Sequence, residues 1–193
     1  LLLVAVWRTR EDDVPRVGVM SAAFFVASSA HIKVLATSVH LVLNGLVGVV
    51  LGRRAPLAVT VGLALQFFLI QHGGYSTIGI NACIASLPAL AAGALYPLLR
   101  RLRVPPFVRG FVLGSGAVAG AVGLNFLVLL LGGKTDWERF AQLVLLAHAP
   151  VILFEGAMLG VLVRYLEKVK PSLLRGEGPG ASIQDSGEDE RSW

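Results

Sequence analysis

Charge is scarce in this sequence. Only 15% of its 193 residues are charged, against 55% hydrophobic, and the mean hydropathy is +0.72. A soluble domain is usually about a quarter charged, so a water-exposed globular surface is excluded over most of the chain. Cysteine is nearly absent. The single Cys83 lies in an apolar run, which excludes an internal disulfide framework and any CxxC metal site. No GxxxxGK[ST] motif occurs and no length is left for a nucleotide domain, so the chain does not itself hydrolyse ATP. No basic patch interleaved with aromatics appears, which argues against nucleic-acid binding despite a net charge of +5. No internal sequence repeat is evident, so an inverted-repeat transporter is not invoked.

What the sequence does have is a series of long apolar runs separated by short charged clusters. Six runs span residues 17–30, 37–51, 55–70, 77–99, 107–131 and 140–166. A bilayer crossing needs about 20 residues. The shorter runs, and those broken by Gly or Pro, are tolerated where neighbouring helices bury the backbone. Residues 1–7 (LLLVAVW) rise only about 10 Å as a helix, and Arg8 and Arg10 follow them. They read as the last two turns of a helix that begins upstream. Charge after the apolar run rather than before it argues against a signal peptide. The expected fold is all-α: a polytopic transmembrane helical bundle over 1–170, with about six spanning segments plus the end of a first helix. Residues 171–193, rich in Gly, Ser, Asp and Glu, read as a disordered cytoplasmic tail.

Lys and Arg alternate from one connection to the next. Arg8, Arg10 and Arg16 precede the first run, and Lys33 alone follows it. Arg53 and Arg54 come next, then none in the 71–76 turn, then Arg100, Arg101, Arg103 and Arg109. Lys134 and Arg139 are offset by Asp136 and Glu138, and Arg164, Lys168, Lys170 and Arg175 close the series. The positive-inside rule then puts the beginning of the first helix outside and the C-terminus in the cytoplasm. The Arg-rich 100–109 loop is a topology signal, with a partner-contact surface as the alternative reading.

By this topology His31, His40 and His72 fall at or near outer ends of segments. Imidazole suits nickel, cobalt, copper and zinc, and two histidines on one membrane face are placed to converge on one ion. Each also has a plainer reading: His31 as an interfacial residue, His40 as part of a packing stripe with Asn44, Gly48 and Gly52, and His72 as a turn residue before Gly73 and Gly74. Glu155 lies inside the last run, where a carboxyl is costly unless paired or functional. An arginine near the inner face is one candidate partner. His148, two turns earlier on the same face, is a candidate for a cross-helix hydrogen bond. Ser115 and His148 each lie roughly 12–14 Å from their own membrane face, so a serine protease dyad inside the membrane is the rival reading from another class. Glycine pairs four apart (110 and 114, 116 and 120, 156 and 160) read as sites of close helix packing.

Several motifs together resemble one family. They are GVMSAAFF at 18–25, TSVHLVLNGLVG at 37–48, HGG at 72–74, GIN at 79–81, LPAL at 87–90, HAPV at 148–151, EG at 155–156 and VKP at 169–171. The pattern, which covers all but the acidic tail, resembles the CbiM/NikM family. These are the membrane substrate-capture subunits of energy-coupling-factor cobalt and nickel importers, and the likeness is nearer the cobalt branch. The resemblance implies capture of Co²⁺, or Ni²⁺, on the outer face of a bacterial or archaeal cell membrane, for uptake that feeds cobalamin synthesis. It implies a transported ion rather than a bound cofactor, and no enzymatic activity. It also implies partner chains: a coupling transmembrane subunit, ATP-binding cassette ATPase subunits and a small accessory membrane subunit. Family members begin with Met-His, whose amine, amide and imidazole nitrogens join a histidine of the Thr-x-x-His region in a compact nitrogen site. Here the matching residue is His40, and His72 matches a position near the site. A nitrogen site favours nickel, cobalt or copper over magnesium and calcium, which prefer oxygen.

Overall fold

The computed structural model describes residues 11–29, 31–34, 37–71, 73–132 and 137–174. Six α-helices form: α1 (Val14–Ser29), α2 (Asn44–Leu51), α3 (Ala55–Ile70), α4 (Ile78–Arg101), α5 (Pro106–Leu131) and α6 (Trp137–Val169). A β-hairpin, β1 (His31–Val34) with β2 (Thr37–His40), joins α1 to α2. Four helical stretches are long and apolar enough to cross a membrane: Asn44–Ile70, Tyr75–Arg101, Pro106–Leu131 and Leu146–Val169. Large apolar side chains such as Val19, Phe68, Leu131 and Leu146 point outward, as expected of a bundle whose solvent is lipid. This is a membrane protein with the helical bundle that hydropathy predicts.

Chain direction follows from pairs of contacts. Gln66 donates to Ser28 at 2.7 Å near one end of α1 and α3, while Asp13 and Arg54 pair at 2.5 Å at the other end. These two helices therefore run parallel. Asn44 reaches the Ala85 carbonyl, Gly48 lies against Ala89, and Gly93 lies against Gly48 and Gly52. So α2 runs parallel to α4. Because α3 and α4 are joined by the short 71–77 turn and run antiparallel, α2 and α3 also oppose each other. The stretch Asn44–Ile70 is thus not one rod. It reverses at the 3-10 turn Gly52–Arg54, where Gly52 takes φ 53°, a conformation that glycine adopts without the steric cost of a Cβ. From Val14 to Val169 the chain makes six traverses.

The second traverse departs from expectation. Residues 37–51 read as one apolar helix, but only Asn44–Leu51 is helical, about 12 Å of rise. The β-branched Thr37 and Val39 belong to β2, which suits them, and residues 41–43 are irregular. The crossing is a half-helix fed by a non-helical strap.

Small residues set the helix spacing. Gly110 and Gly114 of α5 face Leu159, Gly160, Glu155 and Gly156 of α6, and the α6 glycines in turn face Phe107 and Phe111. A Cβ built on Gly114 would stand 2.8 Å from the Glu155 carbonyl oxygen. The packing expected of these glycines is therefore present. Gly116, by contrast, meets nothing. At the end of the bundle that carries Arg54 and Arg100, Arg109 is buried, 3% exposed. It pairs with Glu167 at 2.5 Å, and Tyr96 donates to the same carboxyl at 2.7 Å. Reading Arg109 as loop charge is corrected here, because α5 begins at Pro106 and places Arg109 inside the bundle. The bundle also extends past residue 170: Leu174 is 3% exposed and packs in one cluster with Tyr96 and Val163. Residues 175–193 and 1–10, including the proposed first-helix stub, lie outside the described residues.

Candidate functional site

The strap before α2 is the floor of the site. Leu43 adopts φ 50°, ψ 12°, a left-handed conformation that costs a non-glycine residue about 1–2 kcal/mol. It persists because the chain is held on both sides. The Leu43 carbonyl accepts the Val47 amide at 3.0 Å, the first bond of the helix. The Leu43 amide donates to Glu155 Oε2 at 2.9 Å, and the Val42 amide donates to Oε1. The carboxyl, 2% exposed, thus serves two backbone donors that lie outside any helix ladder. It also sits at the N-terminal end of α2, where the helix dipole favours negative charge. No arginine partners Glu155 among the described residues, so an ion pair with an inner-face arginine is not what holds it. Asn44, fully buried, completes the anchorage by donating to the Ala117 carbonyl of α5 at 3.1 Å.

Above this floor is a cavity of about 320 Å³. Its polar lining comes from Ser28 of α1, His40 of β2, Gln66 of α3, Asn81 of α4, and Asn125 and His148 on α5 and α6. Ser28 and Gln66 stand at the ends of α1 and α3 remote from Asp13 and Arg54, so the cavity is at the end of the bundle opposite Arg53, Arg54 and Arg100. His40 Nδ1 lies 3.2 Å from the Leu41 carbonyl oxygen. A carbonyl only accepts, so Nδ1 is the donor and a neutral ring carries its lone pair on Nε2. His148 repeats the arrangement, with Nδ1 donating to the Val144 carbonyl at 2.7 Å.

A model of the family described as the cobalt uptake substrate-specific transmembrane region, CbiM, matches residues 1–173. The chain belongs to the CbiM family. Among its relatives is a putative metal transport protein of Haemophilus influenzae, 31% identical over 180 residues that cover 90% of this chain and 85% of that one. Another is the cobalt transport protein CbiM of Thermosynechococcus vestitus, 31% identical over 166 residues, 81% of this chain and 64% of that one. The crystal structure of a transition metal transporter shares the fold, with a TM-score of 0.75, 22% identity, and coverage of 87% and 83%.

The CbiM fold sorts the candidate residues. His40 lines the cavity. His72 lies outside the described residues, and its neighbour Gly73 lines the cavity. The hairpin register sets His31 opposite His40. No group of three or more His, Cys, Asp or Glu gathers as a metal cluster among the described residues, so this part of the chain does not by itself supply a full ligand set. The geometry gives the protease reading no support. Ser115 donates to the Ile152 carbonyl at 3.0 Å and is wedged against Gly156, while the bond made by the His148 ring goes to Val144. The two share no hydrogen bond, and Ser115 does not line the cavity. Sequence reasoning did not single out Gln66 or Asn125, and it met Asn81 only within the GIN motif. Each is an amide in an otherwise apolar run, and a buried amide in a span is itself a signal of a polar pocket.

Proposed function

We propose that this CbiM-family chain captures Co²⁺ in the cavity beneath the β-hairpin, with His40 as an imidazole ligand and His72 as a second. The observation that carries the reading is His40 on the cavity wall with Nδ1 tied to the Leu41 carbonyl, a bond of the kind that orients a ligating imidazole. The rest of the polar lining is neutral, with amides and a hydroxyl. Such a wall suits a borderline cation bound by nitrogen and disfavours Ca²⁺ and Mg²⁺, which need carboxylates. Ni²⁺ shares these preferences and is the alternative substrate. The cavity has the volume of about ten waters, which leaves space for further ligand groups. The family resemblance implies that a Met-His segment upstream of Leu1 supplies them.

The cavity end faces outward in this reading and the arginine-rich end faces the cytoplasm of a bacterial or archaeal cell. The chain performs no catalysis. Transport is driven by partners, namely ATP-binding cassette ATPases, a coupling membrane subunit and a small accessory subunit, and the cobalt feeds cobalamin synthesis. The test is cobalt accumulation by cells carrying the full transporter, together with Co²⁺ and Ni²⁺ titration of the full-length purified chain. His40→Ala is expected to abolish both accumulation and tight binding. Wild-type accumulation in that variant would remove the proposal.

A further inference from the structure

We infer that the acidic run of the chain's own tail, residues 185–190, docks on a basic surface at the arginine-rich end of the bundle. Two helix ends build that surface. Arg100, Arg101 and Arg103 lie at the end of α4, and Arg164, Lys168 and Lys170 at the end of α6; all six are exposed. Tyr96 donates to Glu167 at 2.7 Å, which ties the two ends together, since Arg100 lies one turn beyond Tyr96 and Lys168 follows Glu167. The carboxyls that form ion pairs at this end are already taken, Glu167 by Arg109 and Asp13 by Arg54. None of the six cations forms an ion pair among the described residues. Arg164 and Lys168 stand one turn apart on α6, where like charges repel. Helix dipoles and membrane topology draw cations to such ends, but neither supplies an anion.

The tail has the matching charge and starts in the right place. Residues 175–193 carry five carboxylates against two arginines, and Asp185, Glu188, Asp189 and Glu190 fall within six residues. Leu174 is 3% exposed and packs with Tyr96 and Val163, so the tail leaves the bundle beside the two basic helix ends. The acidic run begins 11 residues later. Chain of that length reaches about 20 Å root-mean-square, which keeps the carboxylates at an effective concentration on the order of millimolar around the surface. Each exposed pair is weak alone. Four carboxylates on six cations hold together better, and the contact stays exchangeable. The family match stops at residue 173, so this contact belongs to the chain rather than to the CbiM fold. A tail held there covers the face that an acidic surface of another protein would meet, and such a surface has to displace it.

The experiment is zero-length carbodiimide crosslinking of the full-length chain, one chain per lipid nanodisc, with the joined residues mapped by mass spectrometry. The reagent joins only amines and carboxyls already in contact. In phosphatidylcholine discs at low salt, Lys168 and Lys170 should be joined to the carboxylates of residues 185–190. Lys33, in the hairpin at the opposite end, should not. At about 1 M salt the Debye length falls to about 3 Å, and the yield should drop at least about fivefold. A yield indifferent to salt overturns the inference, and that measurement needs no substitution. Replacing Arg100, Arg101 and Arg103 together by Gln leaves both lysines in place and should also cut the yield severalfold. An unchanged yield in that variant, if folded, would mean chance collision near the root of the tail and would likewise overturn it. Discs with about a quarter of their lipid as phosphatidylglycerol test the rival occupant. Crosslinks that persist there support the tail, whereas their loss assigns the surface to anionic headgroups and sinks the inference.

Discussion

Replacing Glu155 tests how the site is held. Its carboxyl accepts from the amides of Val42 and Leu43 inside a bundle where no other partner for those donors is present among the described residues. Glu155→Ala leaves two buried backbone donors unsatisfied at about 1–3 kcal/mol each, so about 2–6 kcal/mol is lost. Glu155→Gln keeps one acceptor and turns an NH₂ toward the other donor, so about half of that is lost. For a chain of this length 1 kcal/mol moves Tm by about 2–4 °C. The glutamine variant should therefore melt on the order of 5 °C lower and the alanine variant on the order of 10 °C lower or more. Val42 is two residues from His40, so both variants should also weaken Co²⁺, by about 10- to 100-fold if Glu155 acts as an outer support of the ligand. The assay is thermal unfolding in detergent alongside Co²⁺ titration. A glutamine variant with wild-type Tm and wild-type affinity would refute the reasoning, since it would mean that the strap is satisfied without the carboxylate.

Two further outcomes follow from the same geometry. Gly48→Ala should cost about 1–3 kcal/mol, because the new Cβ would run into the Ala89 carbonyl, whereas Gly116→Ala and Gly123→Ala add a methyl to open space and should leave Tm within about 2 °C. Co²⁺ binding should weaken as pH falls, because the proton takes the lone pair that the metal uses; a flat titration between about pH 5 and 8 would rule out His40 as ligand.

The traverses were legible because two independent signals coincide: apolar runs of spanning length, and basic residues that recur at every second connection. The break in the second traverse was not. Residues 37–43 contain no Gly or Pro to mark an interruption, and an apolar stretch of that kind reads equally well as helix. What unwinds it is tertiary, a carboxyl 112 positions beyond Leu43 together with an adjoining hairpin. Arg109 failed for a related reason. Its neighbours Arg100 and Arg101 do close the last turn of α4, but the proline at the start of α5 carries Arg109 one turn into the bundle, where Glu167 meets it. His40 was legible through its motif. His148 was noticed, but the cavity it lines exists only once α1, α3, α4 and α5 are assembled.

The oddities of the site explain one another. A carboxyl within a spanning helix is expensive unless something holds it, and irregular backbone at membrane depth is expensive unless something satisfies it. Glu155 and the 41–43 strap each remove the other's cost. Their pairing lets the chain place a strand, His40 included, where a continuous helix would have filled the cavity with its own side chains. Residues 148 and 155 lie two turns apart on one face of α6, so this one helix lines the cavity through His148 and holds the strap that follows His40 through Glu155. The glycine seam at Gly110, Gly114, Gly156 and Gly160 then fixes α6 against α5 with almost no clearance. The shape of the cavity should accordingly respond to displacement of α6 more than to displacement of α1 or α3. Any partner that loads or empties the site would act most effectively by moving that helix.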